Sequence, residues 1–308
     1  MKRQRWRRRG LLLPAPPPTP FAHSHAALPA VIPAADGWDL YVAARDEAGR
    51  AQIARVPLES SGGELRSGDP QREPALGLGD LGAFDDSGVT PACLVSDGER
   101  RLLFYSGWSR GVSVPFYFYV GLAASDDAGR TFERVSRGPI LERDEVDPFL
   151  TASPSVLVEG GVWRMWYVSA TEWRLVDGAP RHRYHVRYAE SADGVRWRRD
   201  GHVCIDYSGD DEYAIGRPCV LREDGRYRMW FCARGNAYRL GYAESDDGLH
   251  WERDDAATAL MGDEQAWERE MSAYPQVFRD GERLHLLYNG NGYGRSGVGW
   301  ATPEGDEG

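Results

Sequence analysis

A chain of 308 residues, 42% of them hydrophobic and 11% aromatic, is long enough to bury a sizeable core in one domain. Its net charge is −10, and six positive charges (Lys2, Arg3, Arg5, Arg7, Arg8, Arg9) fall in the first nine residues, leaving −16 once those six are removed. An acidic body argues against nucleic acid or an anionic membrane surface as the main partner, and no stretch approaches the ~20 apolar residues of a membrane span.

The basic start is followed by Leu11-Leu12-Leu13, but Pro14 and Pro16 to Pro18 cut the apolar run short. A secretory signal needs about 7–15 apolar residues there. Residues 1–21 therefore read as a disordered basic, Pro-rich tail, or as an over-long start of the reading frame, and the chain as cytoplasmic.

From residue 22 onward the chain repeats itself. A faint first copy opens at Leu28-Pro29-Ala30-Val31 and runs through residues 38–45 and 52–58. The next spans residues 90–108 and 120–135, and a third residues 153–173 and 184–201. The clearest copy is residues 217–254, four short strands turning at Glu223-Asp224-Gly225 and Asp246-Asp247-Gly248. Asp-Gly between alternating apolar runs is a strong hairpin signal, because glycine accepts the positive φ of a tight turn. The last copy, residues 274–291 and 297–301, breaks off after three strands. Pro91, Pro154, Pro218 and Pro275 mark a period of about 60 residues. The expected fold is all-β, a five-bladed β-propeller of four-stranded antiparallel blades over residues 22–302, with a tail at 303–308. Its blades fall at about 28–80, 86–142, 147–207, 212–262 and 270–302, and the N-terminal region lends a strand to close the ring.

Strand parity separates two faces. One carries short, repetitive Asp/Gly turns, which read as structural. The other carries loops that differ from copy to copy, together with the lead-in to each first strand, and sites are built on such loops. These lead-ins are acidic: Asp85-Asp86, Asp147, Asp210 to Glu212, and Glu268 with Glu270. If they converge on the axis, a separated carboxylate pair could cleave a glycosidic bond, one acid as proton donor and one as base or nucleophile. Glu212 or Glu270, with a raised pKa, is the candidate donor, and Asp86 the candidate base. Trp108, Trp173, Tyr238, Tyr274 and Tyr293 are placed to stack on sugar rings. Asn289, Asn291, Arg217, Arg234 and Glu172 offer polar contacts, and His25 a channel-lining hydrogen bond. Arg217 stands where the other repeats place Leu28, Thr90, Ser153 and Tyr274, directly before the repeat proline.

His23 and His25 have no further His or Cys at ligand spacing, so no metal is assigned, and no cofactor. Cys93, Cys204, Cys219 and Cys232 include no CxxC pair and read as buried free thiols, with a Cys219–Cys232 disulfide the alternative.

The repeated x-Pro lead-ins, the second strands at residues 161–167 and 225–231, and the YAESxDGxxW units (188–197 and 242–251) resemble the five-bladed propeller glycosidase superfamily of arabinanases, xylosidases, invertases, levanases and mannoside phosphorylases. The likeness is greatest to uncharacterised glycosidase-like proteins of bacterial polysaccharide loci. It implies a carbohydrate as substrate or ligand. The family's acids at the pre-proline positions are absent, so two functions stand: a hydrolase or phosphorylase acting on a bacterial glycan, or a non-catalytic carbohydrate-binding propeller. Oligomeric state is not legible.

Overall fold

The computed structural model describes residues 5–305. The chain is all-β, with curled sheets consistent with a β-propeller. Two of its three sheets have eight strands, and each is a pair of four-stranded antiparallel meanders joined by a single parallel contact, Ala51↔Gly88 in one and Tyr184↔Ala214 in the other. The third sheet contains Ala273–Asp280, Arg283–Asn289 and Gly297–Pro303, and its next strand is Trp6–Pro14, from the far end of the chain.

That strand corrects the expectation of a disordered tail over residues 1–21. Trp6 faces Pro303 and Pro14 faces Gly297 across an antiparallel ladder. Trp6 is fully buried, edge-on to Trp230 at 6.2 Å. Leu12 and Leu13 join the apolar core, while Arg7 and Arg9 face outward. Beyond it lies only the short strand Leu260–Met261, paired with Trp6 and Arg7, so the strand needs only one apolar face and its composition is masked by the charges on the other. Residues 1–4 and 306–308 lie outside the described part of the chain.

The sheets meet through flat side chains. Trp166, Tyr188, Tyr227 and Trp251 pack together at centroid distances of 5.7–6.5 Å, between the third and fourth meanders. Around the axis the innermost strands are linked by small side chains: the amides of Val156, Val220 and Val277 donate to Cys93 Sγ (3.4 Å), Ser155 Oγ (3.0 Å) and Cys219 Sγ (3.2 Å). Asn289 makes the equivalent link where the ring closes, accepting from the Leu28 amide (2.8 Å) and donating to the carbonyls of Ala26 and Gly297. All four cysteines are free, Cys219 and Cys232 included.

The Asp/Gly turns are self-contained. Asp127, Asp193 and Asp247 each accept the hydroxyl of the serine two residues earlier and amides of the residues that follow. Amide donation to the carboxylate holds Asp193 at about 2, and the Thr131 donors outweigh burial to bring Asp127 to the same value.

Candidate functional site

Each first strand carries a β-bulge at its repeat proline, as between Ala152 and Ser155 or Gly216 and Cys219. The residue before the proline takes a left-handed backbone in four copies: Leu28 (φ 53), Ser153 (φ 46), Arg217 (φ 55) and Tyr274 (φ 57). A non-glycine residue pays for this conformation with roughly 1–3 kcal/mol of strain, and such strain concentrates where a side chain must be aimed. These four and Thr90 all line one cavity of about 500 Å³, within the range of small-molecule sites.

The walls are aromatic. Trp108 and Phe118 lie 6.2 Å apart, tilted by 35°, and Phe116 meets Phe118 edge-on at 5.0 Å. His182 stacks on Tyr184 (4.7 Å, 7°), and the Tyr184 and Tyr238 hydroxyls share a hydrogen bond. Burial, with Arg234 and Arg181 nearby, depresses His182 to about 4, so the ring is neutral. Tyr274 and Tyr293 flank Tyr238 at 5.9 and 6.2 Å. The half-buried Arg234 lies over Tyr213, Tyr238 and Tyr293 at 5.3, 5.3 and 5.5 Å. Arg217, 1% exposed, reaches from one side of the axis to the carbonyls of Ala92 and Pro29 on two other inner strands.

No aspartate or glutamate lines this cavity, which corrects the expected convergence of acids. The lead-in carboxylates turn into their own sheets and form a repeated clasp. Asp85 accepts from Tyr105 Oη (3.0 Å) and Arg134 (2.8 Å). Asp147 accepts from Tyr167 Oη (2.8 Å) and pairs with Arg187 (3.0 Å) and Arg199 (3.1 Å). Glu268 accepts from Tyr288 Oη (2.6 Å) and pairs with Arg8 (3.1 Å). In the remaining clear copy a phenylalanine, Phe231, replaces the tyrosine, and Arg253 grips Glu212 through both nitrogens at 2.6 and 2.9 Å.

The three candidate catalysts are thereby displaced. Burial would raise the Glu212 pKa, but the Arg253 hydrogen bonds outweigh it and lower it, opposite to a poised proton donor. Asp86 accepts from the Gly82 amide and Ser87 Oγ within its own turn. Glu270 is exposed, held through its backbone by Asn291 and Arg239. Of the expected binding residues, Trp108, Arg217, Arg234, Tyr238, Tyr274 and Tyr293 reach the cavity. Trp173 stands behind the wall, against Phe116 (5.4 Å) and His182 (5.5 Å). Glu172 pairs with Arg174 and Arg183. His25 is buried beside Ser24, depressed to about 4 by burial with Arg45 and Arg295 nearby. Asn289 and Asn291 are both engaged by backbone.

Arg45, Phe116, Phe118 and Tyr184 add to the lining without having been singled out, and His182 of the variable face lies there with them. The stretch between the two halves of the third copy, 174–183, belongs to a long hairpin, Val162–Val176 with Ala179–Ser191, which carries His182 and Tyr184 on a strand. Among the described residues, no cluster of three or more His, Cys, Asp or Glu could hold a metal ion.

Comparison places this arrangement. No family model matches the chain. Two proteins of Mycobacterium tuberculosis, "Uncharacterized protein MT1551" of strain CDC 1551 / Oshkosh and "Uncharacterized protein Rv1502" of strain ATCC 25618 / H37Rv, are each 40% identical over 303 residues, spanning 97% of this chain and 99% of their own. The chain belongs to their family. Among solved structures similar to this family member, one described as a glycoside hydrolase has a TM-score of 0.74 at 17% identity, covering 96% of this chain and 91% of that one. A thermostable family-43 glycoside hydrolase gives 0.62 at 17%, covering 92% and 90%. A glycosyl hydrolase from Bacteroides ovatus gives 0.68 at 15%, covering 92% and 85%. These likenesses show that the chain shares its fold with glycoside hydrolases, the resemblance to which the repeats pointed.

Proposed function

We propose that the protein is a carbohydrate-binding propeller of five blades, its axial cavity holding a unit of a bacterial glycan. The observation that carries this reading is an aromatic-walled cavity, on a glycoside-hydrolase fold, without a carboxylate in its lining. Trp108, Tyr238, Tyr274 and Tyr293 supply faces for pyranose rings, and Arg217 and Arg234 supply planar donors for hydroxyls. Glycosidic cleavage by a carboxylate pair needs two acids about 5–10 Å apart across the bond, and Asp85, Asp147, Glu212 and Glu268 are instead spent on Tyr and Arg partners in their own sheets. The four free thiols support a reducing compartment, such as the cytoplasm.

The test is a broad oligosaccharide panel, assayed for binding and for sugar release with and without phosphate. Saturable binding that weakens in Trp108→Ala and Tyr274→Ala, with no release, is the expected result. Turnover that disappears in Glu212→Gln or Glu270→Gln would instead make the protein a hydrolase, or a phosphorylase where phosphate is required.

A further inference from the structure

The chain carries 47 acidic and 37 basic residues, yet the cavity is lined by three arginines and no acid. Arg45 stands exposed at its mouth, Arg234 is half-buried in the wall, and Arg217 is almost wholly buried beneath. Among the described residues none of the three forms an ion pair with a carboxylate, whereas the Tyr274 phenol interacts with all of them. All three guanidinium-bearing residues and Tyr274 line the same cavity.

Arg217 is the most telling. Its two terminal nitrogens donate to backbone carbonyls, and its Nε, also buried, has no partner. Arg55, Arg164, Arg183 and Arg228 also have an unpartnered Nε, but each pairs with a carboxylate. Among the described residues of this kind, Arg217 is the one with no counter-charge. A buried charge without a partner is costly, by several kcal/mol in general, and a fold holds one where something else completes it. The strained backbone at Arg217 aims that charge at the axis.

We propose that the ligand of this cavity carries an anionic group, a carboxylate or a phosphate or sulfate ester, that seats on Arg217, Arg234 and Arg45. The sugar portion of the ligand rests on the carbohydrate reading above; the charge does not. A guanidinium presents parallel N–H donors that match two oxygens of such a group, and aromatic walls leave the ring faces of an acidic sugar covered. A neutral glycan would fill the cavity and leave three positive charges uncompensated.

Ligand-observed NMR and calorimetry on the full chain at low salt would test this, with glucose, galactose, glucuronate, galacturonate, glucose 6-phosphate, glucose 6-sulfate and inorganic phosphate as probes. The acidic sugars are expected to bind more tightly than their neutral parents by about tenfold or more, the size of one hydrogen bond to a charged group. Uronates ahead of esters would identify a carboxylate ligand, and the reverse order an ester. Arg234→Gln and Arg45→Gln should erase the preference, and Arg217→Lys should retain part of it. These are needed because Arg217→Gln alone could also loosen the inner strands. Neutral sugars binding as tightly as acidic ones would overturn the charge while leaving the carbohydrate reading intact. Inorganic phosphate binding as tightly as the sugar esters would keep the anion site and remove the sugar. Binding by none of the probes would overturn both.

Discussion

Asp147 shows how a residue can be conspicuous in sequence and misleading about function. It is fully buried, bound to Tyr167 Oη and paired with Arg187 and Arg199. Asp147→Asn removes one charge from a buried network, and a loss of about 3–5 kcal/mol is expected in urea unfolding. The lead-in acids were visible as a repeated feature, but their direction was not. A signal existed in the spacing: Asp85 and Tyr105, Asp147 and Tyr167, and Glu268 and Tyr288 are each 20 residues apart. That regularity belongs to a structural clasp, since three copies repeat it, whereas a site on the axis differs from copy to copy. Arg217 obeys the second rule, and its lone basic character among Leu28, Thr90, Ser153 and Tyr274 made it legible.

Two histidines set a pH limit at the same scale. His25 and His182 titrate at about 4 in the folded chain, against 6.5 when free, through burial with arginines nearby. Between those values the unfolded chain binds protons that the folded chain refuses, so stability rises with pH there. It is complete above about pH 6.5 and declines as pH falls toward 4. The urea midpoint should therefore drop between neutral pH and pH near 4.5, and drop less in His182→Asn. A midpoint constant over that window would contradict the burial of both rings.

At the scale of elements, the repeats announced nearly every central strand, because hairpin turns and alternating apolar residues report on local structure. The strand Trp6–Pro14 was missed because its pairing partner lies almost 300 residues away and its outward face is arginine. Its anchor is Trp6, buried against Trp230. Trp6→Ala should cost about 3–5 kcal/mol, read as a shift in the denaturant midpoint. A change confined to fraying of the first strand, with the global midpoint unmoved, would show that the other strands hold without it. Arg8, which completes the Glu268 clasp, explains why part of the basic segment serves the fold.

For the whole molecule, the sequence conveyed the all-β, repeated architecture, but not the electrostatic character of the axial cavity. Charge totals describe the surface average, and a chain of net −10 gave no hint that its acids avoid the axis. The thiols provide a global probe of the same packing. Burial raises Cys219 to about 11 and Cys204 and Cys232 to about 12, so few thiolates exist at pH 8. A disulfide-exchange reagent should label none of these three in the native protein and all of them in denaturant. Rapid native labelling of Cys219 would mean that the inner strands open readily.

The pairing of Trp6–Pro14 with Gly297–Pro303 also fixes an order of events during synthesis. Trp6–Pro14 leaves the ribosome long before Gly297–Pro303, so it cannot find its place until that strand has been made. Until then an apolar stripe carrying Trp6, Leu12 and Leu13 travels uncovered on the nascent chain. Arginines at Arg7, Arg8 and Arg9 flank that stripe, where charge discourages premature association while the partner strand is awaited.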